Sequence, residues 1–122
     1  MEQSKAYSKH VDFIEKEEFI HLFSTVEIPE RWFSEKESGV FSFPGNAGSL
    51  AGRYLIKKRI CDHIGTRDYM KEIEILNDAA GKPEISFGKN IGNAIERAGI
   101  KKILCSISHS RNYITGMTIF CL

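Results

Sequence analysis

Residues Leu50 to Gly65, LAGRYLIKKRICDHIG, decide how this chain folds. Turned through roughly 100° per residue, the stretch places Leu50, Tyr54, Cys61 and Ile64 in one sector, with Lys57 among them. Lys58 and Asp62 fall beside Ala51 and Leu55, and only Gly52, Arg59 and His63 make a plainly polar strip. That strip is narrow for a surface helix. The spacing therefore predicts a largely covered helix, with some of its four cations and its one acid at the edge of the covered face. Ser49 is expected to cap the N-terminus and Gly65 to end the helix in a left-handed conformation.

On the N-terminal side, GVFSFPGNAGS is a loop by its glycines and proline. Before it lies EIPERWFSEKE, where Pro29 suits a first helical turn or a tight bend. SKHVDFIE, with Val11, Phe13 and Ile14, predicts a short strand running into a helix near Glu15 to Phe23. On the C-terminal side, EIEIL and EISF are two strands joined by the turn-rich NDAAGKP. Helical spacing returns at Ile91, Ala94, Ile95 and Ala98, and Gly99 stops it. KKILCSISH and YITGMTIFC then flank SRN as a β-hairpin, with Ile103, Cys105 and Ile107 on one face and Tyr113, Thr115, Met117 and Ile119 alternating likewise. No segment repeats. The order β-α, loop, long α, β-β, α, β-β has too few βαβ crossovers for a doubly wound sheet. The expected fold is α+β, a mostly antiparallel sheet packed against the long helix.

A chain of 122 residues with 42% hydrophobic content is expected to form one domain, 1–122, with a modest core. Its apolar runs fall far short of the roughly 20 residues of a membrane span, and MEQSKAYSKH has no apolar signal core. A soluble cytoplasmic protein with no membrane partner is expected. Cys61, Cys105 and Cys121 follow no CxxC spacing, which argues against a disulfide framework or a zinc site and predicts three buried thiols. A net charge of +1 gives no general attraction for polyanions. The basic run Lys57, Lys58, Arg59 lacks interleaved aromatics, so nucleic acid is not an expected partner.

Asp12 lies among apolar neighbours on the first strand. A carboxylate there is either a helix N-cap or needs a cation, backbone donors or a metal. His109, between serines in SISHSRN, either meets a phosphate, acts as a base, or is a hydrogen-bonded structural residue. No GxSxG elbow, GxGxxG or Walker-type glycine loop is written in the chain.

Taken in order, HVDFIE, RWFSEKE, LAGRYLIKKRICDHIGT, EIEILNDAAGKP and SISHSRNY resemble the bacterial holo-acyl-carrier-protein synthases, small phosphopantetheinyl transferases. The resemblance runs over about residues 9 to 120. It implies transfer of phosphopantetheine from coenzyme A to a serine of an apo acyl carrier protein, with release of adenosine 3′,5′-bisphosphate. It also implies Mg²⁺, a homotrimer with active sites between subunits, and a place in fatty acid biosynthesis. By position, Asp12 looks like the family's metal ligand and Arg53 and Lys57 like its basic helix residues facing coenzyme A. Gly81, Lys82 and Pro83 resemble the turn beside the nucleotide, and Ser108, His109 and Ser110 the hairpin residues near its phosphates.

Three positions depart from the pattern. Lys58 stands where the family has the second metal carboxylate, and Asp62 stands where it usually has a lysine near the reacting groups. Residues four apart on a helix are neighbours, so the two can pair. Three readings follow: a swapped pair with Asp62 on the metal, Lys58 taking the place of the metal's charge, or a non-catalytic relative that binds coenzyme A or a carrier protein. On the first helix, Glu18 replaces a usual arginine and leaves Lys16 as the one cation of IEKEEF, an arrangement that repels an ordinary acidic carrier.

Overall fold

In the computed structural model, which describes residues 6–25 and 31–122, β1 (Tyr7–Glu15) runs straight into α1 (Lys16–Thr25). The expectation for Pro29 lies outside the described residues. Short α2 (Glu35–Val40) precedes the long α3 (Ala47–Ile64), and a 3₁₀ turn at Met70–Glu72 leads into β2 (Ile73–Asn77) and β3 (Pro83–Phe87). Then come α4 (Lys89–Arg97), β4 (Lys102–His109) and β5 (Tyr113–Cys121). The sheets are antiparallel, one ordered β1-β5-β4 and the other the β2-β3 hairpin. This is the expected α+β architecture, with α3 packed across the larger sheet.

Two glycines set how closely α3 approaches that sheet. A Cβ on Gly52 would collide with Ile107 of β4, and one on Gly116 of β5 would press on Leu55 at 3.1 Å. Gly52 therefore belongs to the helix–sheet contact and not to a polar strip. The face of β5 that meets α3 carries Ile114, Gly116, Thr118 and Phe120, all buried. Ile103 pairs with Phe120 and Cys105 with Thr118, so Ile103, Cys105 and Ile107 share this inner face. Tyr113, Thr115, Met117 and Ile119 point the other way.

α3 begins at Ala47 with Asn46 as N-cap, three residues ahead of the expected Ser49. The turn before it drives the earlier start: the Asn46 N–H donates to the Ser42 carbonyl at 2.7 Å, and the Asn46 carbonyl already accepts from Leu50 at 3.0 Å. The Ser49 carbonyl is instead taken by Arg53. Gly65 ends the helix as expected, at φ 79°, where a left-handed residue costs glycine little. Of the three thiols only Cys61 is buried, and burial pushes it up to about 11; Cys105 and Cys121 are half-buried, contrary to expectation.

The α2 region, α3 and β2 are joined by one buried ion pair. Ser34 and Glu37 form a capping box at the start of α2, and Glu37 Oε1 also accepts from Lys57 Nζ of α3 at 2.5 Å. Glu37 Oε2 accepts from the Ile75 N–H of β2 at 3.0 Å, while Lys57 also donates to the Trp32 carbonyl at 2.5 Å. Both side chains are 0% exposed. Burial pushes the Lys57 ammonium below its usual range, and Glu37 opposes that shift.

Glu37→Leu leaves a buried cation without its carboxylate, so urea denaturation is expected to show a loss of about 3–5 kcal/mol, largely recovered in Glu37→Leu/Lys57→Met. Thr118 carries a buried hydroxyl without a hydrogen-bond partner among the described residues. Thr118→Val is expected to raise stability by about 1 kcal/mol in the same measurement.

Candidate functional site

The inner face of β1 meets α3 in antiparallel sense, His10 lying near His63 and Asp12 near Arg59. Asp12 is half-buried, and both its oxygens are held by one guanidinium: Arg59 Nε donates to Oδ2 at 3.0 Å and an Arg59 Nη donates to Oδ1 at 2.5 Å. These bonds hold Arg59 above its already high value. Of the partners the sequence left open for Asp12, the structure supplies the cation.

One residue before Arg59, the Lys58 ammonium lies 3.8 Å from Asp62 Oδ2, and the two side chains are 43% and 39% exposed. Asp62 is held more closely by Arg67, which donates to Oδ1 at 2.9 Å. Asp12, Phe13, Leu55, Lys58, Arg59 and Asp62 line one small cleft of about 120 Å³. It is bounded by two of the three positions of departure, Lys58 and Asp62, and by Asp12, the candidate metal ligand.

These residues do not fit Mg²⁺. A hard divalent cation requires several oxygen ligands, with carboxylates to balance its charge. Here Asp12 is engaged by a guanidinium, the neighbouring position is an ammonium, and Asp62, four residues from Lys58, is tied to Arg67. Among the described residues no group of three His, Cys, Asp or Glu side chains could hold an ion.

Arg53 and Lys57, which the resemblance sets facing coenzyme A, are both buried in the protomer and bound to its own acceptors. Lys57 is committed to Glu37 and Trp32. Arg53, buried beneath Phe41 at 3.8 Å from the ring centroid, donates to the carbonyls of Ile75 at 2.7 Å and Ser49 at 3.0 Å, and to the Asn77 side chain at 3.0 Å. A cation in this interior demands acceptors, and strand β2, Glu37 and the carbonyls of Trp32 and Ser49 supply them.

Gly81, Lys82 and Pro83 form the exposed β2–β3 turn. Gly81 has φ 83°, and Asp78 Oδ1 accepts from the N–H groups of Ala80 and Lys82, each at 2.9 Å. Asn77, which Arg53 holds, pairs with Pro83, so that turn is anchored to α3. At the other hairpin, Ser110 Oγ bonds the backbone of Tyr113 and shapes the turn. Ser108 and His109 are exposed at the end of β4, and the His109 ring packs so closely on Gly48 that a Cβ there would collide with it. Gly48 and Arg59 are eleven positions apart on α3, about 16 Å at 1.5 Å per residue. One protomer thus holds Asp12, Lys58 and Asp62 together near one end of the helix and His109 near the other.

Arg59, Glu37 and Arg67 escaped the sequence reading. The Ser34-x-x-Glu37 pattern is a visible capping signal, though nothing in it points to Lys57. Arg59 and Asp12 are separated by 47 positions, and no local pattern couples them.

No family model matches the chain. The holo-acyl-carrier-protein synthase of Alkaliphilus metalliredigens is 32% identical over 114 residues, spanning 89% of this chain and 93% of that protein. The one from Fusobacterium nucleatum is 32% identical over 113 residues, spanning 88% and 93%. Among solved structures, holo-acyl-carrier-protein synthase from Plasmodium yoelii superposes with a TM-score of 0.76 at 21% identity and 98% coverage of both chains. The coenzyme A complex of the Chronobacterium ammoniagenes synthase gives 0.76 at 23% identity, covering 94% of this chain and 96% of that one. The fold is shared with these structures, and by near full-length likeness to the curated relatives the chain belongs to the holo-acyl-carrier-protein synthase family.

Proposed function

We infer that this protein transfers phosphopantetheine from coenzyme A to a serine hydroxyl of an apo acyl carrier protein. The serine oxygen forms a bond to the phosphorus that carries pantetheine, and the bond from that phosphorus to the bridging diphosphate oxygen breaks. Adenosine 3′,5′-bisphosphate leaves with the electron pair, and the serine proton passes to a base or to solvent. The observation that carries this reading is the near full-length likeness to holo-acyl-carrier-protein synthases. The chemistry asks for positive charge beside the diphosphate, because negative charge builds on the leaving group. Lys58 and Arg59 line the cleft at Asp12, which supports assigning that charge to them. Lys82, Ser108 and His109 are exposed and free to meet the rest of coenzyme A.

A homotrimer with sites between subunits completes the reading. The outer face of the larger sheet is unusually apolar for a protein surface, with Tyr7, Val11 and Phe13 of β1 at 67%, 58% and 69% exposed and Leu104 of β4 exposed on the same face across β5. The separation of His109 from Asp12 along α3 also favours a site completed by a second copy. No described helix is long and apolar enough to cross a membrane, and the cytoplasm is the compartment proposed for transfer to a carrier protein. On α1, exposed Glu17 and Glu18 favour a carrier whose docking helix has few acids. The rival reading, a relative that binds without transferring, is favoured by Lys58 at the second carboxylate position. Mass spectrometry separates the two.

With coenzyme A and the host's own apo carriers, one carrier is expected to gain the mass of phosphopantetheine. No gain on carriers that a known transferase modifies would contradict transfer. Val11→Glu/Phe13→Glu is expected to convert a trimer into monomers by light scattering and to abolish transfer while the far-ultraviolet spectrum stays unchanged.

A further inference from the structure

We propose that the Arg59 guanidinium, clamped by Asp12, and the adjacent Lys58 ammonium bind the diphosphate of coenzyme A directly, in place of a divalent cation. The proposal rests on the transfer reading above and assigns the residues that hold its substrate. Arg59 carries five N–H donors, and the two bonds to Asp12 use one from Nε and one from an Nη nitrogen. Three donors remain on a side chain that is 32% exposed. Lys58 brings three more, none in a hydrogen bond to the described residues, since Asp62 lies at 3.8 Å and is closer to Arg67. Six donors thus have no hydrogen-bond partner among the described residues, on two side chains that line one cleft, and a diphosphate offers a matching set of anionic oxygens.

Asp12 has a defined part in this arrangement. Two bonds to one carboxylate fix both the plane and the position of the guanidinium, so its free edge is held in place before substrate arrives. A fixed donor needs no reorganisation when charge develops on the leaving oxygen. Asp12 is then a positioning residue, and Arg59 touches the substrate. A metal at Asp12 would share the carboxylate with the Arg59 guanidinium and would lie against two like charges, Arg59 and Lys58. The two carboxylates of the cleft are each held by an arginine, Asp12 by Arg59 and Asp62 by Arg67, which leaves the Lys58 ammonium and the free edge of Arg59 to meet an anion.

The test is calorimetric binding of coenzyme A to the purified full chain, in excess EDTA and in Mg²⁺, alongside titration with Mn²⁺ alone. The expected result is binding in EDTA within about twofold of that in Mg²⁺, with no saturable Mn²⁺ uptake; Arg59→Ala weakens coenzyme A binding at least about tenfold, and Lys58→Ala weakens it less. Arg59→Lys keeps the charge but loses the fork, and is expected to recover only part of the affinity. In Lys58→Glu/Arg59→Ala, which sets a second carboxylate near Asp12, Mn²⁺ uptake is expected to appear. Binding that requires Mg²⁺ in the parent chain overturns the clamp and leaves the transfer reading intact. Binding in neither condition overturns the transfer reading and the clamp with it, and unchanged affinity in folded Arg59→Ala overturns the clamp alone.

Discussion

A lysine ammonium with no exposed surface has to be neutralised where it lies, and the structure is arranged around meeting that demand at Lys57. Glu37 answers it, and in doing so fixes three things at once. Its capping box starts α2, its second oxygen holds the Ile75 N–H of β2, and its charge ties both to the middle of α3. Arg53 takes the carbonyl of the same Ile75. Both polar backbone groups of Ile75 are thus bound by side chains, which closes the edge of β2 that β3 does not pair with. Removing one partner of such a pair costs far more than the pair contributes, so these residues are held together by the penalty of separation.

That commitment leaves the next turn face of α3 to do something else. Lys57 and Lys58 are neighbours in sequence but about 100° apart around the axis, so one enters the interior and the other meets solvent. The four cations of the helix divide accordingly. Arg53 and Lys57 hold the fold, while Lys58 and Arg59 line the cleft on β1. Gly52 and Gly116 bring helix and sheet close enough for Arg59 to reach Asp12 across that junction.

The elements were legible where local chemistry dictates them. Gly65, Gly81 and Gly99 mark chain reversals and have φ of 79°, 83° and 77°, and the alternation in β5 is visible residue by residue. Which of its two faces is covered was not legible, because Met117 and Ile119 are as apolar as Ile114 and Phe120; the packing of α3 decides it. The site was half legible. Asp12, Lys58 and Asp62 do meet in one cleft, and the demand of Asp12 for a partner follows from its setting. The identity of that partner depends on how α3 and β1 lie together, and so does the burial of Arg53 and Lys57. Helical projection gives the angle of a side chain about its axis and says nothing of what the rest of the chain brings to meet it.

The division of the α3 cations is the central claim, and side-chain nitrogen NMR reads it directly. On titration with coenzyme A, the Nε signal of Arg59 and the Nζ signal of Lys58 are expected to move, while those of Arg53 and Lys57 stay in place. Shifts confined to Arg53 and Lys57, with Arg59 and Lys58 unmoved, would contradict it.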